Sequence, residues 1–146
     1  MTDKHLTNVE FLLKTEPESY SFDNLIREGK TSWTGVRNSL ARKNLRLMKL
    51  GQKVFIYHSG KNPAIVGIAE VIREAYPEPG AEAWSVVDVR PVIRLHRPVT
   101  LSQLRLIPEI ANWVLLRQSR LSVVPVSSRE SSCVLTLATE IDEHGA

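Results

Sequence analysis

The sequence predicts an α+β domain, a small mixed β-barrel with short flanking helices. Short runs rich in β-branched residues are interleaved with short helical patterns, and their spacing lacks the regular strand–helix–strand repeat of a parallel sheet. No Pro/Gly/Ser-rich linker, repeat or low-complexity segment divides the 146 residues. We therefore expect one domain over residues 1–146.

The first half of the chain supplies several of the predicted strands. Residues 11–13 predict a short strand, and residues 18–27 predict a short helix that Gly29 can end in a left-handed conformation. Residues 54–58 and 64–72 are β-rich runs on either side of a Ser-Gly-Lys-Asn-Pro turn, so they predict two further strands.

The clearest predicted helix covers residues 38–49 and ends before Gly51. At about 100° per residue, its apolar and cationic side chains fall on separate arcs. One side is therefore expected to face the core and the other to carry positive charge. The apolar arc holds Leu40, Ala41, Leu45, Leu47 and Met48, and the cationic arc holds Arg42, Lys43, Arg46 and Lys49.

The second half of the chain predicts further strands and short helices. Residues 84–96 alternate in part, and Pro91 within them indicates a sheet edge or a bulge. Thr100-Leu101-Ser102-Gln103 is a capping box, which predicts a short helix that stops near Pro108. Residues 110–116 predict another short helix. The last two predicted strands cover residues 121–126 and 134–137.

The charge distribution favours a polyanionic partner. The net charge is only +3, yet residues 29–69 contain eight Lys or Arg and no Asp or Glu. Residues 89–129 contain seven arginines against the single Glu109. Charged residues also simply solvate a surface, so charge alone leaves both interpretations open.

The composition argues against membrane and secreted proteins. No apolar run approaches the roughly 20 residues of a membrane helix. Residues 1–10 are polar and mixed in charge, unlike a secretion signal, so we expect a cytoplasmic protein. The lone Cys133 cannot form an internal disulfide, and we expect it to be a buried structural thiol rather than a nucleophile.

The sequence carries few signs of catalysis. It has no Gly-rich phosphate loop, dinucleotide fingerprint or Cys/His cluster with metal spacing. We therefore expect no cofactor, no metal ion and no enzymatic activity. His58, at the end of a predicted strand, is expected to serve in hydrogen bonding or packing rather than as a general base.

Three polar stretches are candidate binding elements. Lys14-Thr15-Glu16-Pro17 follows the first strand and is either a ligand contact or a plain connection to the next helix. Trp33-Thr34-Gly35-Val36-Arg37-Asn38 combines groups that stack on bases and bond their edges, or it is a core tryptophan followed by a helix that Asn38 caps. Arg117-Gln118-Ser119-Arg120-Leu121-Ser122-Val123 is either a phosphate clamp or a basic loop beside the barrel.

In this order, these stretches resemble the EVE domain family. Further matching stretches are Ala41-Arg42, Phe55-Ile56-Tyr57-His58-Ser59, Val66-Gly67-Ile68 and Tyr76-Pro77. The resemblance runs from about residue 11 to residue 137, which we take as the core of the domain. It implies a PUA-like fold, related to the YTH readers of methylated adenosine. It also implies a stand-alone, non-catalytic module that captures a modified base of DNA or RNA in a pocket beside a basic surface.

Under this interpretation two groups of residues contact the nucleic acid. The base pocket is expected to contain Lys14, Thr15, Glu16, Trp33, Gly35, Val36, Asn38, Tyr57, His58 and Ser59. The phosphate contacts are expected from Arg37, Arg42, Arg46, Arg117, Arg120 and Ser122. Two alternatives stay open. One is an enzyme acting on a nucleotide or nucleobase, with Glu16 and His58 as acid and base, and the other is a protein-interaction adaptor with an exposed apolar patch.

Overall fold

The structure of the protein, a computed structural model, describes residues 9–139. One sheet contains six strands: β1 Val9–Thr15, β2 Thr31–Ser32, β3 Lys53–His58, β4 Ala64–Glu78, β5 Ala81–Thr100 and β6 Val123–Pro125. Their spatial order is β2-β5-β4-β3-β1-β6, with β1 parallel to β3 and the other neighbours antiparallel. Strands β2 and β6 form two edges, so the pairing within residues 9–139 does not close the sheet. The mixed class is confirmed, but the predicted barrel is not.

Helices pack around this sheet: α1 Phe22–Glu28, α2 Ser39–Leu47, α3 Leu101–Arg105, α4 Val114–Arg117 and α5 Ser128–Thr139, with a 3-10 turn at Pro108–Ile110. Local polar contacts fix where they begin. Ser21 caps α1 by accepting from the Asn24 N–H at 3.1 Å, so this helix begins later than predicted. Thr100 and Gln103 form the predicted capping box of α3. Gly29, at a φ of +82°, ends α1 as predicted.

The last predicted strand is wrong, because residues 134–137 lie inside α5. Ser127 and Glu130 bond reciprocally at the start of this helix: the Ser127 Oγ accepts from the Glu130 N–H at 3.2 Å, and the Glu130 Oε1 accepts from the Ser127 N–H at 2.9 Å. Val134 and Ala138, four residues apart, are buried on one face of α5. The helix predicted over residues 110–116 is divided between the 3-10 turn and α4.

One close contact of the core requires a glycine. The Phe22 ring, at the start of α1, is fully buried over Gly67 of β4. A Cβ placed on Gly67 would lie 2.5 Å from the ring, so only glycine allows this approach. The side of α2 that faces the core contains Ala41 and Leu45, which are fully buried. On the same helix, the Asn44 side-chain amide donates to the Val123 carbonyl at 2.8 Å.

Strands β4 and β5 form a long hairpin with an irregular register. The pairing shifts where Ala69 faces Pro91, which confirms the predicted bulge at this proline. The far end of the hairpin carries Glu78 and Trp84 toward α2 and the segment before it. No helix within residues 9–139 is long and apolar enough to cross a membrane. Most of the N-terminal segment that argues against a secretion signal, residues 1–8, lies outside the described residues.

Candidate nucleic-acid interface

The strand pairing places two of the predicted binding stretches side by side. β1 runs parallel to β3, and the register pairs Lys14 with Tyr57 and Thr15 with His58. Ser59 extends this contact beyond the strand ends, because its backbone N–H donates to the Thr15 carbonyl at 2.9 Å. The two stretches therefore meet at one end of the sheet.

A concavity of about 230 Å³, here termed the first pocket, opens beside this end of the sheet. Lys14 and Thr15 line it from β1, Thr31 and Ser32 line it from β2, and Tyr20, Trp33 and Thr34 line it from the connecting segments. Trp33 is 8% exposed and belongs to the hydrophobic core, yet it also lines the first pocket. The Tyr20 ring meets it edge-on, with 6.1 Å between ring centroids. The core role and the pocket role predicted for Trp33 thus coexist.

Lys14 joins the first pocket to the loop that follows α4. Its Nζ donates to the Ser119 carbonyl at 2.9 Å and lies 5.5 Å from the centroid of the Tyr57 ring. Burial lowers the pKa of the Lys14 amino group from its ordinary value. An ammonium group has three donors, so donors remain for a ligand after the bond to Ser119. Tyr57 is 4% exposed, so its ring contacts Lys14 but does not line the first pocket.

His58 makes a structural hydrogen bond. Its Nε2 accepts from the backbone N–H of Phe22 at 3.0 Å, so this nitrogen carries no proton and the ring is held against the start of α1. Burial lowers the pKa of His58, Asp23 opposes this shift, and Arg94 adds to it. The imidazole is therefore neutral at pH 7, and its Nε2 lone pair is already used. This geometry supports a hydrogen-bonding role over that of a general base.

A carboxylate of the β4–β5 hairpin fixes the segment that follows Trp33. Glu78 accepts from the Gly35 N–H at 3.0 Å and from the two terminal nitrogens of Arg37 at 3.0 and 2.8 Å. Arg37, with the Gly35 amide, lowers the pKa of Glu78 to about 2. The charge of Arg37 is thus engaged within the protein. Val36 is 5% exposed and packs in the core, and it does not line the first pocket as predicted.

The cationic side of α2 contacts the same hairpin. Arg42 donates to the Ala83 carbonyl at 2.7 Å, and its guanidinium lies 5.3 Å from the centroid of Trp84. The Nε of Arg46 donates to the Ser85 hydroxyl at 3.1 Å. Each guanidinium has five N–H donors, so both arginines keep donors for a phosphate.

A second concavity of about 330 Å³, here termed the second cleft, lies between the start of α2 and the loop after α4. Asn38, Leu40 and residues 117–121 line it. Asn38 caps α2 through its side-chain oxygen, as one of the predicted alternatives requires. Arg117 and Arg120 are exposed, and in the described part of the chain neither forms an ion pair. The first pocket and the second cleft meet where Lys14 bonds to Ser119.

Several further predicted residues line neither concavity: Glu16, Gly35, His58, Ser59 and Ser122. Glu16 is exposed just beyond β1, and its carbonyl accepts from the Tyr20 N–H at 2.8 Å. The Ser122 carbonyl accepts from the Lys14 N–H at 3.0 Å, which places Ser122 alongside β1, directly before β6. Among the described residues no group of three His, Cys, Asp or Glu side chains could hold a metal ion.

Several contributors to the site were missed by sequence reasoning. The hydroxyl residues around Trp33 had a visible signal, because Thr31, Ser32 and Thr34 flank the aromatic directly in sequence. Glu78 had no such signal, since it is 41 residues from Arg37. Tyr20 and Trp84 also escaped notice as site residues, because only the folded chain brings their rings to Trp33 and to the arginines.

The fold and the site together define a small mixed α/β binding module, with a polar pocket and an arginine-lined cleft that share one contact. The chain belongs to the EVE domain family, which it matches over residues 10–137. It is 34% identical to thymocyte nuclear protein 1 of Gallus gallus, over 94% of this chain and 72% of that protein. The Homo sapiens protein of the same name is also 34% identical, over 87% of this chain and 72% of its own length.

Solved structures support the same assignment. The crystal structure of human THYN1 in complex with DNA containing 5-methylcytosine has a TM-score of 0.84 and 32% identity, covering 90% of this chain and 98% of that one. A protein of Agrobacterium tumefaciens has a TM-score of 0.85 and 36% identity, covering 88% and 92% of the two chains. An ASCH protein of Zymomonas mobilis, at 17% identity and a TM-score of 0.55, shares the fold alone.

Proposed function

We propose that this EVE domain is a non-catalytic reader of a modified base in DNA, with 5-methylcytosine as the first ligand to test. The observation that carries the proposal is the first pocket, which combines aromatic side chains with polar groups and is linked by the Lys14–Ser119 hydrogen bond to the cleft that contains Arg117 and Arg120. The relative solved with DNA containing 5-methylcytosine supports the ligand class. RNA as a second ligand, a closed PUA-like barrel and a cytoplasmic location remain predictions.

The first pocket would receive one base that is flipped out of a duplex or already unpaired. Contact of a base with an aromatic side chain contributes about 1–3 kcal/mol, whereas extrusion from a duplex costs a few kcal/mol. Trp33 alone therefore does not offset extrusion, and phosphate contacts must supply the rest. Arg42 and Arg46, together with the arginines of the second cleft, are placed to provide them.

Lys14 is the best candidate for a polar contact to the base. Lys14 lines the first pocket, its ammonium is fixed by the Ser119 carbonyl, and it still has donors for a base carbonyl. The exposed Thr34 offers a hydroxyl on the opposite lining segment. Phosphate contacts carry no information about the modification, so discrimination has to come from groups such as these.

The geometry favours a reader over the two other candidate functions. An enzyme using Glu16 and His58 would need both groups at the reacting atoms, but the His58 Nε2 is occupied by the Phe22 amide. An adaptor would need a large exposed apolar patch, whereas these two concavities are lined mainly by hydroxyl, amide and cationic groups.

The proposal is tested by measuring the dissociation constants of matched oligonucleotides by fluorescence anisotropy. The oligonucleotides are identical except for a single cytosine or 5-methylcytosine, and each is tried as a single strand and as a duplex. Wild type should bind the modified strand more tightly, and Lys14→Met should lose this preference because it removes the donors but keeps the aliphatic stem. Lys49→Met, at an exposed residue just beyond the end of α2, is the matched control and should weaken binding of both oligonucleotides equally. Equal affinity of wild type for both oligonucleotides would contradict the proposal for this modification.

A further inference from the structure

We infer that the second cleft binds the nucleotide that neighbours the captured base. Its phosphate lies against Arg117 and Arg120, and its base lies against the carboxamide of Asn38. This inference rests on the proposed function and deepens it, because it makes the domain sensitive to the sequence beside the modification.

The charges of the second cleft are available to a phosphate. Three other arginines of the described chain are paired with carboxylates: Arg37 with Glu78, Arg90 with Glu70 and Arg94 with Asp23. Arg117 and Arg120 differ from these three, since no carboxylate lines the second cleft and neither arginine forms an ion pair with a residue of the described chain. A guanidinium fork matches the geometry of a phosphate and binds it through two parallel hydrogen bonds.

Asn38 has one half of its side chain committed and the other half free. Its Oδ1 accepts from the Ala41 N–H at 2.9 Å, which caps α2. Its NH2 group has no hydrogen-bond partner among residues 9–139, and Asn38 lines the second cleft. The two N–H groups of this NH2 can therefore donate to an acceptor on a base while the Oδ1 keeps its capping hydrogen bond. Gln118 contributes a second carboxamide to the same lining, with both a donor and an acceptor.

One wall of the second cleft is apolar and open. Leu40 follows Asn38 at the start of α2 and is 44% exposed, although the sequence places it on the apolar arc of the helix. An exposed leucine beside two carboxamides and two guanidiniums offers a surface for the face of a base next to groups for its edge. A cleft that held phosphate alone would not need this wall.

The two concavities are positioned for adjacent nucleotides of one strand. Lys14 lines the first pocket and its Nζ donates to the carbonyl of Ser119, which lines the second cleft. This hydrogen bond therefore links a residue that lines one concavity to a residue that lines the other. A strand with one base in the first pocket would bring the neighbouring nucleotide to Arg117 and Arg120.

The inference is tested with short ligands that fill one or both concavities. Dissociation constants are measured by isothermal titration calorimetry for the 5-methyl-deoxycytidine nucleotide alone and for dinucleotides with a neighbour on the 5′ or the 3′ side. A neighbour on one side should raise the affinity at least tenfold, and a neighbour on the other side should not. Replacing that neighbour by an abasic nucleotide should remove part of the gain, because the phosphate stays and the base is lost.

Variants assign the gain to the second cleft. In the double variant Arg117→Ala/Arg120→Ala the dinucleotide should bind no more tightly than the mononucleotide. Gln118→Ala should lose some of the gain that depends on the neighbouring base, because Gln118 supplies the second carboxamide of the lining. Arg129→Ala is the matched control, because this exposed arginine lies by a different concavity next to Cys133 and should keep the full gain. All four substitutions in these three variants are at exposed residues, and thermal unfolding of each variant verifies that it folds.

The outcomes separate failure of this inference from failure of the proposed function. A dinucleotide that binds wild type no better than the mononucleotide overturns the inference, even if the modified base is preferred over cytosine. A gain that survives in Arg117→Ala/Arg120→Ala overturns it as well. If wild type instead binds ligands with 5-methylcytosine and with cytosine equally tightly, the proposed function is contradicted, whatever the neighbouring nucleotide contributes.

Discussion

Replacement of Asn38 separates its two roles, capping α2 and contacting the nucleic acid. Asn38→Ala removes the acceptor that satisfies the Ala41 N–H at 2.9 Å, and it removes the free NH2 donors in the second cleft. The backbone of Asn38, at φ −112° and ψ 136°, has the extended conformation of a capping residue, so the loss is that of an N-cap. Such a loss costs about 1 kcal/mol, which lowers the melting temperature of a domain of this size by roughly 3 °C.

Asn38→Ser keeps the cap and removes the free donors. Serine is as good a capping residue as asparagine, so its hydroxyl should accept from Ala41 and leave the melting temperature close to that of wild type. It has no amide NH2, so the affinity gained from a neighbouring nucleotide should fall in Asn38→Ser as much as in Asn38→Ala. Thr100→Ala, which removes the cap of α3, should cost a similar stability and leave binding unchanged.

Differential scanning fluorimetry and titration with the dinucleotide give the two quantities on the same samples. If Asn38→Ser melts as low as Asn38→Ala, the capping argument is refuted. If Asn38→Ser keeps the full affinity for the dinucleotide, Asn38 is a cap only and does not contact the ligand.

Three further predictions concern the core, the pH dependence and the basic surface. Gly67→Ala should destabilise the protein by about 1–3 kcal/mol in urea unfolding, because the new Cβ would lie 2.5 Å from the buried Phe22 ring. Burial lowers the pKa of His58, so the unfolded chain takes up this proton first, and stability should fall as the pH drops below about 6.5. In Arg42→Ala/Arg46→Ala the slope of log affinity against log salt concentration should flatten by about 0.9 for each phosphate that the variant no longer neutralises.

Each of these has a result that would contradict it. Unchanged stability of Gly67→Ala would mean that the Phe22 ring is free to move. A stability that stays level between pH 7 and pH 5.5, or the same decline in His58→Gln, would remove His58 as the titrating group. An unchanged salt slope in the double arginine variant, with the fold intact, would remove α2 from the interface.

Sequence reasoning succeeded where local patterns decide the structure. The helix α2 follows from the separation of apolar and cationic residues, and the start of α3 follows from the Thr100 and Gln103 pair. It failed at residues 134–137, where a short apolar run fits a strand and a buried helix equally well. The deciding signal was present upstream, in the spacing of Ser127 and Glu130 that begins α5.

The candidate site was predictable only in part. The Lys14 and Trp33 stretches do meet at one pocket, although β5, β4 and β3 lie between β2 and β1 in the order of the sheet. The pairing of Arg37 with Glu78 could not be anticipated, since the long β4–β5 hairpin alone brings the carboxylate back to this segment. Tertiary packing, not local sequence, decides which cations stay free for a ligand.

The central claim, that the domain recognises a modified base without altering it, is tested by one mass-spectrometric measurement. The protein is incubated with a mixture of oligonucleotides carrying cytosine or 5-methylcytosine, and the bound, unbound and input fractions are digested to nucleosides and quantified. We predict that 5-methyl-deoxycytidine is enriched in the bound fraction and that bound and unbound fractions together match the input. Absence of enrichment, or a new nucleoside that disappears in His58→Ala, would contradict this account.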